Sequence, residues 1–179
     1  APDMIVFSGV GKTRAELIAG LEAGVGQFNI EREEEGLELA EVAAEMGVTA
    51  QCALRINPDV DAGTHDKIST GKADNKFGVP IDQAGQIFGK LASQPSVNLR
   101  GVAVHIGSQL GDLAPLDRAF EKLGALLNAL RGAGHVITHV DLGGGLGVPY
   151  KAGDVMPSPA AYGAMVARVT KDWDVKLIY

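Results

Sequence analysis

Short apolar runs alternate with longer stretches in which apolar residues recur every three or four positions. Six of the short runs predict strands, at residues 4–7, 27–30, 52–56, 101–106, 136–142 and 175–179. Most end in glycine, asparagine or proline, and most are continuously apolar rather than alternating. Continuous runs of this length are typical of parallel strands that are buried on both faces.

Helical periodicity fills the intervals between these runs. Thr13 and Glu16 have the spacing of a capping box at the start of the first helix, and Gly47 ends the second. The five predicted helices cover residues 13–21, 34–46, 81–91, 116–130 and 159–169. Strands that alternate with helices predict right-handed βαβ units around a parallel sheet, and therefore an α/β fold.

About six βα units point to part of a (β/α)8 barrel of the TIM type. A closed barrel needs eight units and typically ~250 residues, whereas this chain has 179. We therefore expect an internal piece of a larger barrel domain, with an open doubly wound sheet as the alternative. In either fold, a ligand binds where the carboxyl ends of the strands meet.

Charge and composition narrow the possible partners. The net charge of −6 and the lack of a basic cluster argue against nucleic acid and against an anionic membrane surface. No apolar run approaches the ~20 residues that span a bilayer, and the single cysteine, Cys52, cannot form an internal disulfide. We expect a cytoplasmic protein with no nucleic-acid or membrane partner.

Glycine clusters after the predicted strand at 136–142, where Gly143, Gly144 and Gly145 follow one another. Three glycines in a row indicate either unusual backbone dihedrals or the close approach of another group, and the second is favoured. The fingerprint of dinucleotide sites does not fit, because its third glycine would fall at Val148. Bare amides after a parallel strand suit a phosphate.

Other polar motifs favour ordinary roles. The stretch "SGVGKT" fails the P-loop pattern, because Val6 stands where its first glycine belongs. His135 and His139 would lie ~13 Å apart along a strand, too far to share a metal ion, so no metal site is expected. The acidic run at 31–35 predicts a solvated helix start, although Glu31 closes a strand and could face the site.

Two charged or titratable residues lie within predicted strands. His105 stands near the end of its strand, before Gly107 and Ser108, and is either a core histidine or a site residue. Arg55 lies in the apolar run "QCALRIN" and must be paired. It is either a structural ion-pair partner or an arm that orients a ligand. Residues 57–78 after it form a connection long enough to be an active-site loop, and it contains His65.

Together the segments "RINPDVDAGTHDKISTGKADNKFG", "HIGSQL" and "DLGGGLGVPY" closely resemble the diaminopimelate decarboxylase family. The stretches "FSGVGKTRAEL" and "QFNIE" resemble earlier strands of the same family, so the resemblance covers essentially the whole chain. The long loop favours this family over the related ornithine and arginine decarboxylases. The resemblance implies a pyridoxal-phosphate enzyme with an alanine-racemase-like barrel that converts meso-diaminopimelate to L-lysine and CO2.

By position, the resemblance implies roles for several residues. His105 would stack on the cofactor ring, Arg55 would support the site, and His65 would lie near the substrate. Ser108, Gly143, Gly144 and Gly145 would hold the phosphate. Residues 1–179 would be strands 3 to 8 of the barrel, the central and C-terminal part of that domain, without its first two strands or the β-domain.

The catalytic residues are expected outside this chain. The resemblance implies a Schiff-base lysine before Ala1, a glutamate for the ring nitrogen after Tyr179, and a homodimer in the intact enzyme. The chain alone is therefore expected to be inactive. The alternative is a non-catalytic homologue that keeps the barrel as a binding or regulatory protein.

Overall fold

The strands form one parallel sheet in the computed structural model, which describes residues 1–61 and 77–179. Within these residues the sheet has seven strands: β1 Val6–Phe7, β2 Gln27–Ile30, β3 Ala50–Asn57, β4 Val79–Pro80, β5 Val97–Val104, β6 His139–Asp141 and β7 Lys176–Ile178. Every pairing is parallel. All six predicted strands are therefore present; β2 has its predicted bounds and the other five have shifted ends.

In the described part of the chain, five helices connect the strands: α1 Arg14–Glu22, α2 Glu33–Glu45, α3 Ala84–Ala92, α4 Ala114–Gly132 and α5 Pro159–Val169. The predicted capping box is present at α1, where the Thr13 hydroxyl accepts from the Glu16 amide and the Glu16 carboxylate accepts from the Thr13 amide at 2.8 Å. Two short elements were not predicted, β4 and a 3-10 turn at Pro2–Met4. Both have too few residues to show a period.

The predicted strand at 136–142 is shorter in the structure. Only His139–Asp141 pair with both neighbours, while Val136 is 76% exposed. Thr138 and Leu142 still donate backbone hydrogen bonds to Arg100 and Ile178, so the pairing continues for one residue at each end. An apolar run shows which residues are suited to a strand, but its length depends on the neighbouring strands.

The strand order decides between the two predicted architectures. The main strands follow one another in the sheet in chain order, β1-β2-β3-β5-β6-β7, and β4 pairs with the end of β3. A doubly wound sheet reverses its order at a switch point, and the strands of residues 1–61 and 77–179 show no reversal. Right-handed crossovers then place all the helices on one side. The chain is a half-barrel, as the predicted partial (β/α)8 fold requires.

The core lies between the outer face of this sheet and the helices. Its largest fully buried side chains come from β2, α3 and α4, and include Phe28, Phe88 and Phe120. No helix among the described residues is long and apolar enough to cross a membrane.

Candidate functional site

The carboxyl ends of β2, β3, β5 and β6 meet at one cleft of about 630 Å³. Its lining includes Asn29, Arg55, His105, Asp141 and Gly143. Parallel strands place their carboxyl ends at the same edge of a barrel, which is why residues so distant in sequence converge. Three of the predicted site residues, Arg55, His105 and Gly143, therefore share one cleft.

Arg55 is both ion-paired and turned toward the cleft. Its Nη1 lies 2.7 Å from Oε1 of Glu31, and both side chains are buried. Its guanidinium carbon lies 5.8 Å from the centre of the Phe77 ring. The two interpretations of Arg55 are therefore compatible, and Glu31 reaches the cleft through its ion pair with Arg55. The other oxygen of Glu31 is buried and has no hydrogen-bond partner among the described residues.

His105 is half-buried in the cleft and touches the glycine run. The Gly144 amide donates to Nδ1 of His105 at 3.3 Å. Burial lowers the pKa of His105, and the Arg55 charge lowers it further, against weaker opposing effects from Asp141 and Glu31. The lowered pKa favours the neutral ring. The hydrogen bond accepted at Nδ1 places the proton of the neutral ring on Nε2.

The three glycines have different surroundings. Gly143 has φ +67° and Gly145 has φ +106°. A Cβ at these positions would lie 2.2 Å from the Val104 carbonyl oxygen and 2.0 Å from the Gly107 carbonyl oxygen, respectively. At Gly144 a Cβ would meet no heavy atom within 4 Å. Positions 143 and 145 require glycine because φ is positive and because a carbonyl oxygen lies where a Cβ would be. Turn geometry therefore matters more than the sequence suggested.

Asp141 organises the start of this run and was not predicted as a site residue. Its Oδ1 accepts from the Gly143 amide at 2.8 Å, and its Oδ2 accepts from Nδ2 of Asn29 at 2.7 Å. Asn29 in turn accepts from the side chain of Gln27 at 3.0 Å. An aspartate two residues before a glycine is a known turn signal, and it could have been recognised from the sequence.

A buried ion pair supports the β2 side of the cleft. Lys12 Nζ donates to Glu35 Oε1 at 2.7 Å and to the carbonyls of Gly9 and Asn29 at 2.8 and 2.7 Å. Glu35 also accepts from the Glu31 amide at 3.3 Å. Burial raises the pKa of Glu35, and its bonds to Lys12 oppose that shift. The predicted solvated helix start is therefore wrong for Glu35, which is 3% exposed, whereas Glu31, which follows β2, is 6% exposed.

The remaining predicted residues are placed as follows. Ser108 is exposed in the loop after β5, and Gly145 packs against the same loop. His65 lies outside the described residues. His135 precedes β6 and packs on Phe88 at 5.0 Å between ring centres, so the spacing argument from a continuous strand does not apply to it. Among the described residues no cluster of His, Cys, Asp and Glu could hold a metal ion.

Comparison with known proteins decides the family. Residues 1–174 match the family described as pyridoxal-dependent decarboxylase, pyridoxal binding domain. The chain belongs to this family. The site just described thus lies in a domain of the pyridoxal-dependent decarboxylases.

Individual members are also similar. A diaminopimelate decarboxylase of Zymomonas mobilis is 55% identical over 99% of this chain and 42% of its own length. One of Vibrio cholerae is 46% identical over 99% of this chain and 43% of its own. The crystal structure of diaminopimelate decarboxylase from Helicobacter pylori complexed with L-lysine superposes with a TM-score of 0.94 at 34% identity, covering 99% of this chain and 45% of that one. The chain thus spans less than half the length of these pyridoxal-dependent decarboxylases.

Proposed function

We propose that the protein carrying this chain is a diaminopimelate decarboxylase, which releases CO2 from meso-diaminopimelate to give L-lysine with pyridoxal phosphate as cofactor. The observation that carries the proposal is the convergence of Arg55, His105 and Gly143, the first residue of the glycine run, on one cleft in a domain of this family. The similarity to enzymes of that name supports the substrate.

The cleft fits the cofactor in size and in donors. Its volume of about 630 Å³ is in the range of ~300–1,000 Å³ typical of small-molecule sites. Gly144 leaves open space beside its backbone, and Ser108 offers an exposed hydroxyl on the facing loop. The Gly143 amide is already bonded to Asp141. The Gly144 amide donates to Nδ1 of His105 at 3.3 Å. Within the run, the Gly145 amide is therefore the better phosphate donor.

The residues of this chain would bind and orient the cofactor. The cofactor would supply an electron sink for the electron pair that remains when CO2 departs. Neutral His105 would offer a ring face for stacking. Arg55, ion-paired with Glu31, would form the wall of the cleft on the side of β3. The buried Lys12–Glu35 pair keeps Glu31 in place through its amide. We propose that the lysine that binds the cofactor and the acid for its ring nitrogen lie outside residues 1–179.

The test is CO2 release by the purified full-length protein with pyridoxal phosphate. meso-Diaminopimelate should be turned over, and L-ornithine and L-arginine should be poor substrates. His105→Ala should lose most of the activity, whereas His135→Ala, a matched change at a histidine that packs on Phe88, should retain it. A polypeptide of residues 1–179 alone should release no CO2.

Two results would contradict the proposal. If the full-length protein binds pyridoxal phosphate but decarboxylates none of these amino acids, it is the non-catalytic homologue instead. If it does not bind the cofactor at all, the assignment of the cleft is wrong as well.

We also propose that the intact enzyme is a cytoplasmic homodimer in which residues 1–179 form the central and C-terminal part of the barrel domain. The loop after the glycine run exposes Val148, Tyr150 and Val155. Exposed apolar side chains in one loop are typical of a protein contact, which supports the dimer. Sedimentation equilibrium of the full-length protein would test it, and a monomer at micromolar concentration would contradict it.

A further inference from the structure

Two loops at the cleft are hydrogen-bonded to each other along their length. The first loop, residues 107–110, follows β5 and contains Ser108; the second, residues 143–148, contains the glycine run. The Leu110 amide donates to the Gly145 carbonyl at 2.8 Å, and the Gly147 amide donates to the Leu110 carbonyl at 3.0 Å. This is a parallel bridge between Leu110 and Leu146. The loops therefore behave as one unit.

Gln109 extends this pairing with its side chain. Its Nε2 donates to the Val148 carbonyl at 3.0 Å, and its Oε1 accepts from the Val148 amide at 3.0 Å. A carboxamide that donates and accepts with the same residue imitates a backbone peptide. It adds one more pair of hydrogen bonds beyond the point where the backbone pairing ends.

The backbone of Gln109 is strained. Its φ is +57°, in the left-handed region that residues with a Cβ rarely adopt. Such conformations persist only where the surrounding structure imposes them, and they cluster at ligand sites. Glycine would fit this position without strain. A glutamine here therefore indicates that the side chain is needed.

We propose that Gln109 is a positioning residue for the phosphate of the cofactor. Its side chain holds the glycine loop against the Ser108 loop, so that the exposed Ser108 hydroxyl and the amides near Gly144 face one anion. The inference rests on the proposed function, because it takes that anion to be the phosphate of pyridoxal phosphate. Gln109 acts through the two loops and does not itself bind the cofactor.

A purely structural role predicts a different result. If the side chain mainly stabilised the fold, removing it would lower the thermal stability of the protein. Gln109→Gly removes both hydrogen bonds and also relieves the strained φ. The lost hydrogen bonds lower the stability of the cofactor-free protein and the relieved φ raises it. Positioning therefore predicts little change in that stability, together with weaker binding of the phosphate.

The experiment titrates the cofactor-free full-length protein with pyridoxal phosphate and, separately, with pyridoxal, which lacks the phosphate. Gln109→Met and Gln109→Gly should each bind pyridoxal phosphate about tenfold more weakly, the loss expected from two side-chain hydrogen bonds. Their affinity for pyridoxal should equal that of the wild type. Gln94→Met is the matched control, because Gln94 also donates to a backbone carbonyl, that of Lys90, far from the cleft.

The outcomes separate this inference from the proposed function. Wild-type protein that binds neither compound contradicts the proposed function. Wild-type binding of pyridoxal phosphate with no loss in the Gln109 variants overturns the inference alone. An equal loss for both compounds, or a Gln109→Gly protein that melts at a lower temperature than the wild type, also overturns it, because neither is specific to the phosphate.

Discussion

Substitution can separate the role of the middle glycine of the run, Gly144, from that of Gly145. Gly145→Ala would place a methyl group on the Gly107 carbonyl at a φ of +106°, so it should destabilise the protein by about 1–3 kcal/mol from the backbone alone. Gly144→Ala meets open space. It should keep the wild-type stability but bind pyridoxal phosphate about tenfold more weakly, because the methyl group would enter the proposed phosphate site.

Thermal melting and cofactor titration of the two full-length variants would check this prediction. A stable Gly145→Ala protein would show that the loop can move away from Gly107. A Gly144→Ala protein with normal affinity would mean that no ligand approaches the middle glycine.

The lowered pKa of His105 predicts that the stability of the protein depends on pH. Its pKa is lowered from the ordinary 6.5, mainly by burial and then by the Arg55 charge. Between its lowered pKa and 6.5 the unfolded chain binds more protons than the folded one, so stability is lost as the pH falls below 6.5. Above 6.5 both states are neutral at this residue and the dependence ends.

We therefore expect His105→Gln to have a shallower fall of the unfolding free energy below pH 6.5 than the wild type. Denaturant unfolding of the cofactor-free full-length protein at several pH values would measure it. The pKa of His139 is lowered too, chiefly by burial, but His139 is present in both proteins and cancels. Identical slopes would show that His105 keeps its ordinary pKa.

At the scale of elements, the Lys12–Glu35 pair joins the loop before α1 to the end of β2 and the first turn of α2. Both side chains are 2% exposed. Lys12→Met would leave a buried carboxylate without its cation, which typically costs about 3–5 kcal/mol. The double variant Lys12→Met/Glu35→Leu should recover most of that loss, because it leaves no unpaired charge.

Chemical denaturation of the full-length variants would test this coupling. The exposed pair of Arg14 and Glu45 is a suitable control, and Arg14→Met should change the stability little because water screens it. If the double variant is no more stable than Lys12→Met, the pair is not what connects these elements.

At the scale of the whole molecule, the half-barrel has two open sheet edges, β1 and β7. Met4, Ile5 and Tyr179 beside them are 73%, 51% and 69% exposed. Unpaired edges and apolar side chains favour association. A polypeptide of residues 1–179 should therefore elute from size-exclusion chromatography as oligomers or aggregates. A monodisperse monomer with cooperative unfolding would contradict this expectation.

The arrangement of elements was predictable because it depends on local periodicity. A stretch of a few residues is enough to indicate two of the strands, at 27–30 and 52–56. The same holds for the start of α1, which the capping box of Thr13 and Glu16 indicates. Strand limits were less accurate, as at β6, because a strand ends where its neighbours stop pairing.

The sequence by itself determined the α/β class, the parallel strands and the loops at the carboxyl ends of these strands, where ligand-binding residues are expected. Its glycine run also pointed to an anion. Only the tertiary structure decided which residues meet, namely Glu31 with Arg55, Asn29 with Asp141, and Gln109 with Val148. These pairs are separated by 24, 112 and 39 positions, and contacts over such distances follow from strand order and register, which no local pattern encodes.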